Sequence, residues 1–225
     1  MKVLIYGATG MVGQGVLREC LRAADVEQVR VVGRRETGVR DPKLRETVLA
    51  DLANPDVNRA VEAELTGYDA CFFCLGVSSV GMSEAEYARV SYDLTMSVAG
   101  TLARLNPAMT FVYVSGAGTD SSEHGRSMWA RVKGRTENAL QRAGFRAVYL
   151  FRPGAIEPLD GIRSKTRLYH ALYVLMKPLW PLLRIALGDK LVTTADMGQA
   201  MLAVARHGAP HAVLEARDIG AAARG

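Results

Sequence analysis

Lys2-Val3-Leu4-Ile5-Tyr6-Gly7-Ala8-Thr9-Gly10-Met11-Val12-Gly13 is the stretch that decides the fold. A short apolar run leads straight into three glycines spaced three residues apart. Beyond them Val12, Val16, Leu17 and Leu21 recur on one face at helical spacing. The pattern is strand, tight glycine turn, helix. Gly7 lets the chain leave the strand, Gly10 lets a pyrophosphate approach a backbone without Cβ, and Gly13 lets the helix pack close to the strand. The N–H groups at the helix start, with the helix dipole behind them, favour a phosphate. Thr9, Met11 and Val12 lie in the same turn and count with the glycines as candidate cofactor contacts. A glycine-rich turn without a ligand is the competing reading, and it leaves the even spacing unexplained.

At 225 residues, 49% apolar and 23% charged, the chain is long enough for one good core, so a single globular domain is expected. The net charge is +5, and the basic residues are mostly arginines scattered along the whole chain. With no basic run and no aromatic interleaving, nucleic acid is not indicated; an anionic cofactor accounts for the charge equally well. Of the three cysteines, Cys71 and Cys74 form a C-x-x-C inside an apolar, strand-like run. Positions three apart on a strand point to opposite sides. That geometry argues against a disulfide or a zinc clip, and no metal site is expected. The odd cysteine count, and a first strand that begins at Lys2 with no room for a cleaved leader, point to a reducing cytoplasm.

Further strands are expected at 28–33, 46–50, 69–75, 110–114 and 146–151. Asn54 caps a short helix with Pro55 in its first turn. Ser83-Glu84-Ala85-Glu86 is a capping box that opens one long helix to about Leu105, with Pro107 beyond it. Another helix covers about 127–142 and stops at Gly144. A last one covers 194–205, capped by Thr193 or Thr194, and the small, polar tail 216–225 is expected to fray. Strands alternating with helices imply an α/β protein with a doubly wound parallel sheet, the Rossmann fold. The nucleotide-binding part is placed at 1–160, with a small helical C-terminal cap at 161–225 integrated into the same domain.

Ligands of such sheets bind beyond the carboxyl ends of the strands. Gly33-Arg34-Arg35 follows the second strand, where an acidic residue would accept from the ribose 2′-OH of NAD. Two guanidiniums there match a 2′-phosphate and favour NADP(H), while Glu36 keeps NAD(H) possible. Asp51 and Leu52 follow the third strand, where a carboxylate either accepts from the adenine amine or caps a helix. Leu75, Gly76 and Val77 follow the fourth, near the adenosine ribose, and lead into the glycine-flanked loop Ser78-Ser79-Val80-Gly81. Ser115-Gly116-Ala117-Gly118 follows the fifth and faces the nicotinamide end.

Gly7-x-x-Gly10-x-x-Gly13, Gly33-Arg34-Arg35, Asp51-Leu52, Leu75-Gly76, Val114-Ser115-Gly116, Val132-Lys133-Gly134 and Arg152-Pro153-Gly154, in this order, resemble the short-chain dehydrogenase/reductase superfamily over roughly residues 1–160. The likeness is to its atypical NmrA-like, Tat-interacting-protein-like and NAD-dependent epimerase/dehydratase-like members. Active members of that superfamily carry Tyr-x-x-x-Lys on the helix after the fifth strand and a Ser or Thr after that strand. The resemblance implies that Lys133 holds the nicotinamide ribose, that Ser115 is a catalytic or substrate contact, and that Pro153, Gly154 and Ile156 pass the carboxamide. It implies hydride transfer between NADP(H) and a small carbonyl or hydroxyl substrate. Trp129 stands where the tyrosine is expected, and an indole N–H is no proton-transfer acid near neutral pH. His124, Tyr87 and Tyr92 are the candidate replacements. The alternative is a non-catalytic NADP(H)-binding redox sensor or a protein-interaction regulator.

Residues 165–187 are rich in Leu, Tyr and Trp, but His170, Lys177, Arg184, Pro178 and Pro181 interrupt any spanning helix. An amphipathic cap over the nicotinamide pocket is expected, serving a substrate or a subunit contact; peripheral membrane docking through Tyr173, Leu179 and Trp180 is the other reading.

Overall fold

In β1 (Lys2–Tyr6) every side chain after Lys2 is buried, as a strand covered on both faces requires. The computed structural model describes residues 1–159 and 188–225. β2 (Gln28–Gly33) and β4 (Ala70–Phe73) pair with β1 on its two sides. β3 (Leu44–Val48) lies outside β2. On the other flank β5 (Thr110–Val114), β6 (Ala147–Arg152) and β9 (Val213–Glu215) follow β4 in turn. All pairings are parallel, and the order is β3-β2-β1-β4-β5-β6-β9. β7 (Ala155–Glu157) and β8 (Leu191–Thr193) form a separate parallel pair. The order reverses between β1 and β4, so the crevice for a ligand opens at their carboxyl ends.

The two faces of the sheet hold two cores, sorted residue by residue. Val3, Ile5, Phe72, Val112 and Phe151 point to one side; Leu4, Tyr6, Cys71, Phe73, Phe111, Tyr113 and Leu150 point to the other. The first face is covered by α1 (Met11–Arg22), α7 (Thr194–His207) and α8 (Ala216–Arg224), which supply Val16, Leu17, Cys20, Met197, Met201 and Ile219. The second is covered by α5 (Leu94–Leu105) and α6 (Met128–Gln141), with Leu65 of the short α3 (Glu62–Leu65), which follows α2 (Pro55–Ala60). Each large apolar side chain so buried contributes about 1.5–3 kcal/mol. On the second face Phe73 stacks on Tyr6 and Phe111, and Phe111 on Phe145.

Three expectations change. The long helix runs continuously over 84–105 but carries a wider turn inside it: α4 (Glu84–Ala88), opened by the Ser83–Glu86 capping box, passes through a π-helical segment Arg89–Asp93 into α5. β3 sits at 44–48 rather than 46–50, because Leu44 and Thr47 are the residues its burial uses. The tail does not fray: it forms α8, where Asp218 accepts from the Glu215 N–H and Ile219 is fully buried, directly after β9, an edge strand that was not expected. A three-residue strand is too short to carry a periodicity signal. Thr193 is the cap of α7, its hydroxyl accepting from the Asp196 N–H. The expected cap region 165–187 lies outside the described residues.

α1 and α7 cross at two glycines. A Cβ on Gly15 would lie 2.4 Å from the Thr194 carbonyl oxygen, and one on Gly198 2.8 Å from Glu19 Cβ. Gly15→Ala therefore forces backbone apart and is expected to lower unfolding stability by about 1–3 kcal/mol. Urea denaturation checks it; an unchanged midpoint would show that the two helices slide freely at this crossing.

Candidate cofactor and catalytic site

The crevice is built by glycine contacts. Gly7 has φ +84°, and a Cβ there would lie 2.7–2.8 Å from the Cys74 carbonyl group and the Leu75 nitrogen. A Cβ on Gly13 would lie 2.1 Å from the Gly7 carbonyl oxygen. Gly10 donates its N–H to the Gly7 carbonyl at 2.9 Å and accepts from the Gln14 N–H at 2.9 Å, which closes the turn into α1. As the helix cap, Gly10 has no side chain to offer, and the first turn carries no acidic residue. The N–H groups of Met11, Val12 and Gly13 thus have no partner within the helix.

These groups belong to the wall of a cleft of about 270 Å³ between β1, β2 and β4. Gly7, Thr9, Gly10, Met11, Arg34, Arg35, Leu52, Leu75 and Gly76 line it. A Cβ on Gly76 would meet nothing within 4 Å, so its backbone faces open space. A side-chain-free helix start opening on such a cleft fits a dinucleotide diphosphate. Arg34 and Arg35 are exposed and form no ion pair with a described residue. Val12 and Gly13 stand behind the lining in α1. Asp51 is exposed, and its carboxylate accepts from the Ala53 N–H at 2.9 Å, a turn contact that leaves one oxygen outward. Val77 lies just past the lining and is 47% exposed.

The remaining candidates gather at the carboxyl end of β5. Ser115 Oγ lies 2.9 Å from Thr119 Oγ1, which donates to the Gly116 carbonyl at 2.8 Å. Since the Thr119 proton is committed, Ser115 donates to Thr119 and turns its lone pairs outward. Lys133 of α6 is 8% exposed; its ammonium donates to the Val114 carbonyl at 3.1 Å and sits 4.9 Å from the Tyr113 ring centre. Burial lowers its pKa, opposed by the nearby Tyr87 and Glu137. Pro153 is buried and its carbonyl accepts from the Ala117 N–H at 2.9 Å, which ties the loop after β6 to the loop after β5. Gly154 approaches the Lys190 carbonyl, and Ile156 lies in β7 opposite Val192.

The Trp129 ring packs over the Gly116–Gly118 loop, 3.7–3.8 Å from where a Cβ would stand on each of those glycines. His124 is exposed in the turn before α6, Tyr92 carries the Arg135 guanidinium over its ring at 4.1 Å, and Tyr87 is buried in α4. Two supports were not foreseen. Thr119 orients Ser115, and Glu137, 1% exposed, pairs with Arg152 through the Nε donor at 3.0 Å. The four-residue spacing of Glu137 from Lys133 on one helix face was the available signal. Cys71 and Cys74 join opposite cores, and burial pushes Cys74 up to about 12, so neither thiol is poised to react.

A family model described as the NAD dependent epimerase/dehydratase family matches residues 3–127. Among curated relatives, protein FMP52-2, mitochondrial, from Scheffersomyces stipitis is 28% identical over 72% of this chain and 68% of its own length. Protein HTATIP2 from Rattus norvegicus is 26% identical over 68% of this chain and 62% of its own length. The match thus spans about two thirds of these relatives. Among solved structures, Gre2 from Candida albicans in complex with NADPH superposes with a TM-score of 0.71 at 12% identity, covering 96% of this chain and 78% of that one. The Bordetella bronchiseptica enzyme WbmF in complex with NAD+ gives 0.66 at 15% identity, covering 98% and 76%. These likenesses carry the fold. The cytoplasmic expectation is overturned: the FMP52 relatives are named as mitochondrial proteins. Free thiols argue only against an oxidising compartment and do not choose among reducing ones.

Because burial depresses Lys133 below the free lysine value of 10.5, the unfolded chain binds more protons in the interval between the two values. The contribution of this residue to stability therefore rises with pH across that interval. Compared with Lys133→Met, the wild-type protein is expected to gain unfolding free energy as pH climbs toward 10.5. Urea titrations of both proteins across alkaline pH check this, and a constant difference contradicts it.

Proposed function

The chain belongs to the NAD-dependent epimerase/dehydratase family, and from that premise we propose that it is an oxidoreductase that prefers NADP(H) and acts on a small carbonyl or hydroxyl substrate. The observation that carries the preference is the pair Arg34 and Arg35, exposed, unpaired with any described residue and set on the cleft wall after β2. A planar guanidinium fork suits a 2′-phosphate and also stacks on adenine.

In this reading Gly7, Thr9, Gly10, Met11, Val12 and Gly13 hold the diphosphate against the helix start. Asp51, Leu52, Leu75, Gly76 and Val77 border adenine and its ribose. When bound, the nicotinamide supplies or accepts a hydride. Lys133 spends one N–H on the Val114 carbonyl and keeps two for the ribose hydroxyls. Ser115, with its lone pairs outward, accepts from a substrate hydroxyl. Pro153, Gly154 and Ile156 wall the carboxamide side. A second reading rests on Trp129, whose ring covers the loop after β5 with no hydroxyl in the expected place. It makes the protein a cofactor-dependent sensor that binds without turnover.

Calorimetric titration with NADPH, NADP⁺, NADH and NAD⁺ tests the cofactor reading. The phosphorylated pair is expected to bind more tightly. Arg34→Ala should weaken NADPH by about tenfold, roughly 1.4 kcal/mol, while leaving NADH within about twofold. Equal affinity for all four removes the NADP preference, and no binding at millimolar concentration removes the function proposed.

A further inference from the structure

A cavity of about 540 Å³ lies on the far flank of the sheet and shares no lining residue with the dinucleotide cleft. Arg152 at the end of β6, Ala155 at the start of β7, Lys190 just before β8 and Glu215 at the end of β9 line it. The carboxyl ends of the strands are where such sheets take their ligands. The apolar part of the wall is made of small residues, Ala117, Gly154, Ala155 and Ala216, which leave room for a ligand. Ala117 and Gly154 sit in the loops that also carry Ser115 and Pro153, and the Ala117 N–H donates to the Pro153 carbonyl at 2.9 Å. A Cβ on Gly154 would lie 3.0 Å from the Lys190 carbonyl oxygen, so the loop after β6 also sets Lys190 on this wall.

Arg152 divides its donors between two sides. Its side chain is 12% exposed. Nε donates to Glu137 at 3.0 Å, and Nη2 donates to Glu137 and Ser121. Neither Glu137 nor Ser121 lines the cavity. The remaining nitrogen, Nη1, faces Glu215, which does line it, at 3.6 Å, an ion-pair distance beyond hydrogen-bond reach. Nη1 thus keeps two N–H groups, mostly desolvated and without a hydrogen bond to any described residue, on the cavity side of the guanidinium. Unsatisfied donors of a charged group are costly to bury, and an acceptor in the cavity relieves that cost. Lys190, exposed at the rim, adds an ammonium with no ion pair or hydrogen bond to a described residue. Arg217 and Asp189, 4.0 Å apart and both well exposed, answer each other.

We propose that this cavity binds the carboxylate of a short organic acid, with Arg152 Nη1 and the Lys190 ammonium as its donors and the small apolar wall against its carbon chain. Resting on the oxidoreductase reading, it also names the substrate class: a short acid that bears a carbonyl or hydroxyl group and is anchored beside the loop that carries Ser115. Charge-assisted hydrogen bonds are roughly twice as strong as neutral ones, which favours the acid over its amide. Asp189 and Glu215 stand on the same wall, so a monoanion fits better than a phosphate dianion. Glu215, 51% exposed, gives way to solvent as the acid takes its place at Nη1.

The test is ¹H–¹⁵N NMR of the full chain titrated with butyrate, with butyramide and with inorganic phosphate. Butyrate is expected to shift the backbone signals of Ala117, Ala155 and Lys190 and to bind about tenfold more tightly than butyramide or phosphate. Lys190→Gln removes a donor and Ala155→Leu fills the cavity, both at exposed positions, and each should weaken butyrate about fivefold. Thermal unfolding confirms that both variants are folded. An absence of shifts, shifts placed elsewhere, equal binding of butyrate and butyramide, or variants that bind butyrate as the wild type does each overturn the site. Tighter binding of phosphate overturns the choice of a carboxylate. NADPH calorimetry keeps the two ideas apart. Butyrate shifts without NADPH heat uphold the acid site and overturn the oxidoreductase reading, and the substrate class with it; NADPH heat without butyrate shifts overturns the acid site alone. Where both bind, faster oxidation of NADPH by levulinate than by its amide upholds the substrate class, and no difference overturns it.

Discussion

The Cα of Gly13 against the carbonyl of Gly7 is the contact on which the rest of the molecule depends. At that separation no side chain fits: a single methyl carbon would stand 2.1 Å from the oxygen. Holding the two together sets the angle at which α1 leaves β1, and that angle aims the first N–H groups of the helix at the crevice between β1 and β4. The same close approach lets Gly7 take its left-handed conformation beneath Cys74 and Leu75, so the turn, the floor of the cleft and the neighbouring strand end are one piece of backbone. Further along α1, Gly15 and Gly198 repeat the device between α1 and α7. A chain of glycine contacts thus fixes the cofactor end of the sheet with little use of side chains.

The opposite end of the site is fixed by polar contacts. Lys133 is held between the Val114 carbonyl and the Tyr113 ring, and Glu137, one turn further on the same helix, is locked to Arg152 at the end of β6. Removing one partner of so buried an ion pair costs about 3–5 kcal/mol, which makes the α6–β6 join stiff. The Ala117–Pro153 hydrogen bond then ties the loop after β5 to the loop after β6. The β1–α1 end therefore rests on backbone packing and the β5–α6–β6 end on charge, which explains why the first was easier to see in the sequence than the second.

β1, β2, β4, β5, β6 and the helices between them were legible because each is a local pattern. β1, β2 and β5 fall where their apolar runs lie, and the Ser83–Glu86 and Gly144 signals mark helix ends as expected. The glycine turn declared the cleft because only glycine serves there. What was not legible has physical reasons. β9 is three residues long and gains its order only from pairing with β6. α8 was mistaken for a fraying tail because its composition is small and polar, yet its one large apolar residue, Ile219, is wholly buried. The wider turn inside the long helix at Arg89–Asp93 leaves no mark in a pattern of period 3.6.

The sequence by itself determined the sheet's parallel character, the glycine turn and the residues beyond each strand end, because strand runs, turn glycines and caps act within a few residues of one another. It also raised Trp129 as an expected departure from the tyrosine that the resemblance implies, since that is a matter of residue type at a fixed spacing. Only the tertiary structure decided which side chains share a space. It placed Arg34 and Arg35 on the cleft wall, set Ser115 against Thr119, and buried Lys133 between the Val114 carbonyl and the Tyr113 ring. Glu84 and Arg131 are far apart along the chain, and no local periodicity relates them, yet their ion pair pins α4 to α6. Chemistry that depends on such a meeting is set by packing, which a single sequence does not display.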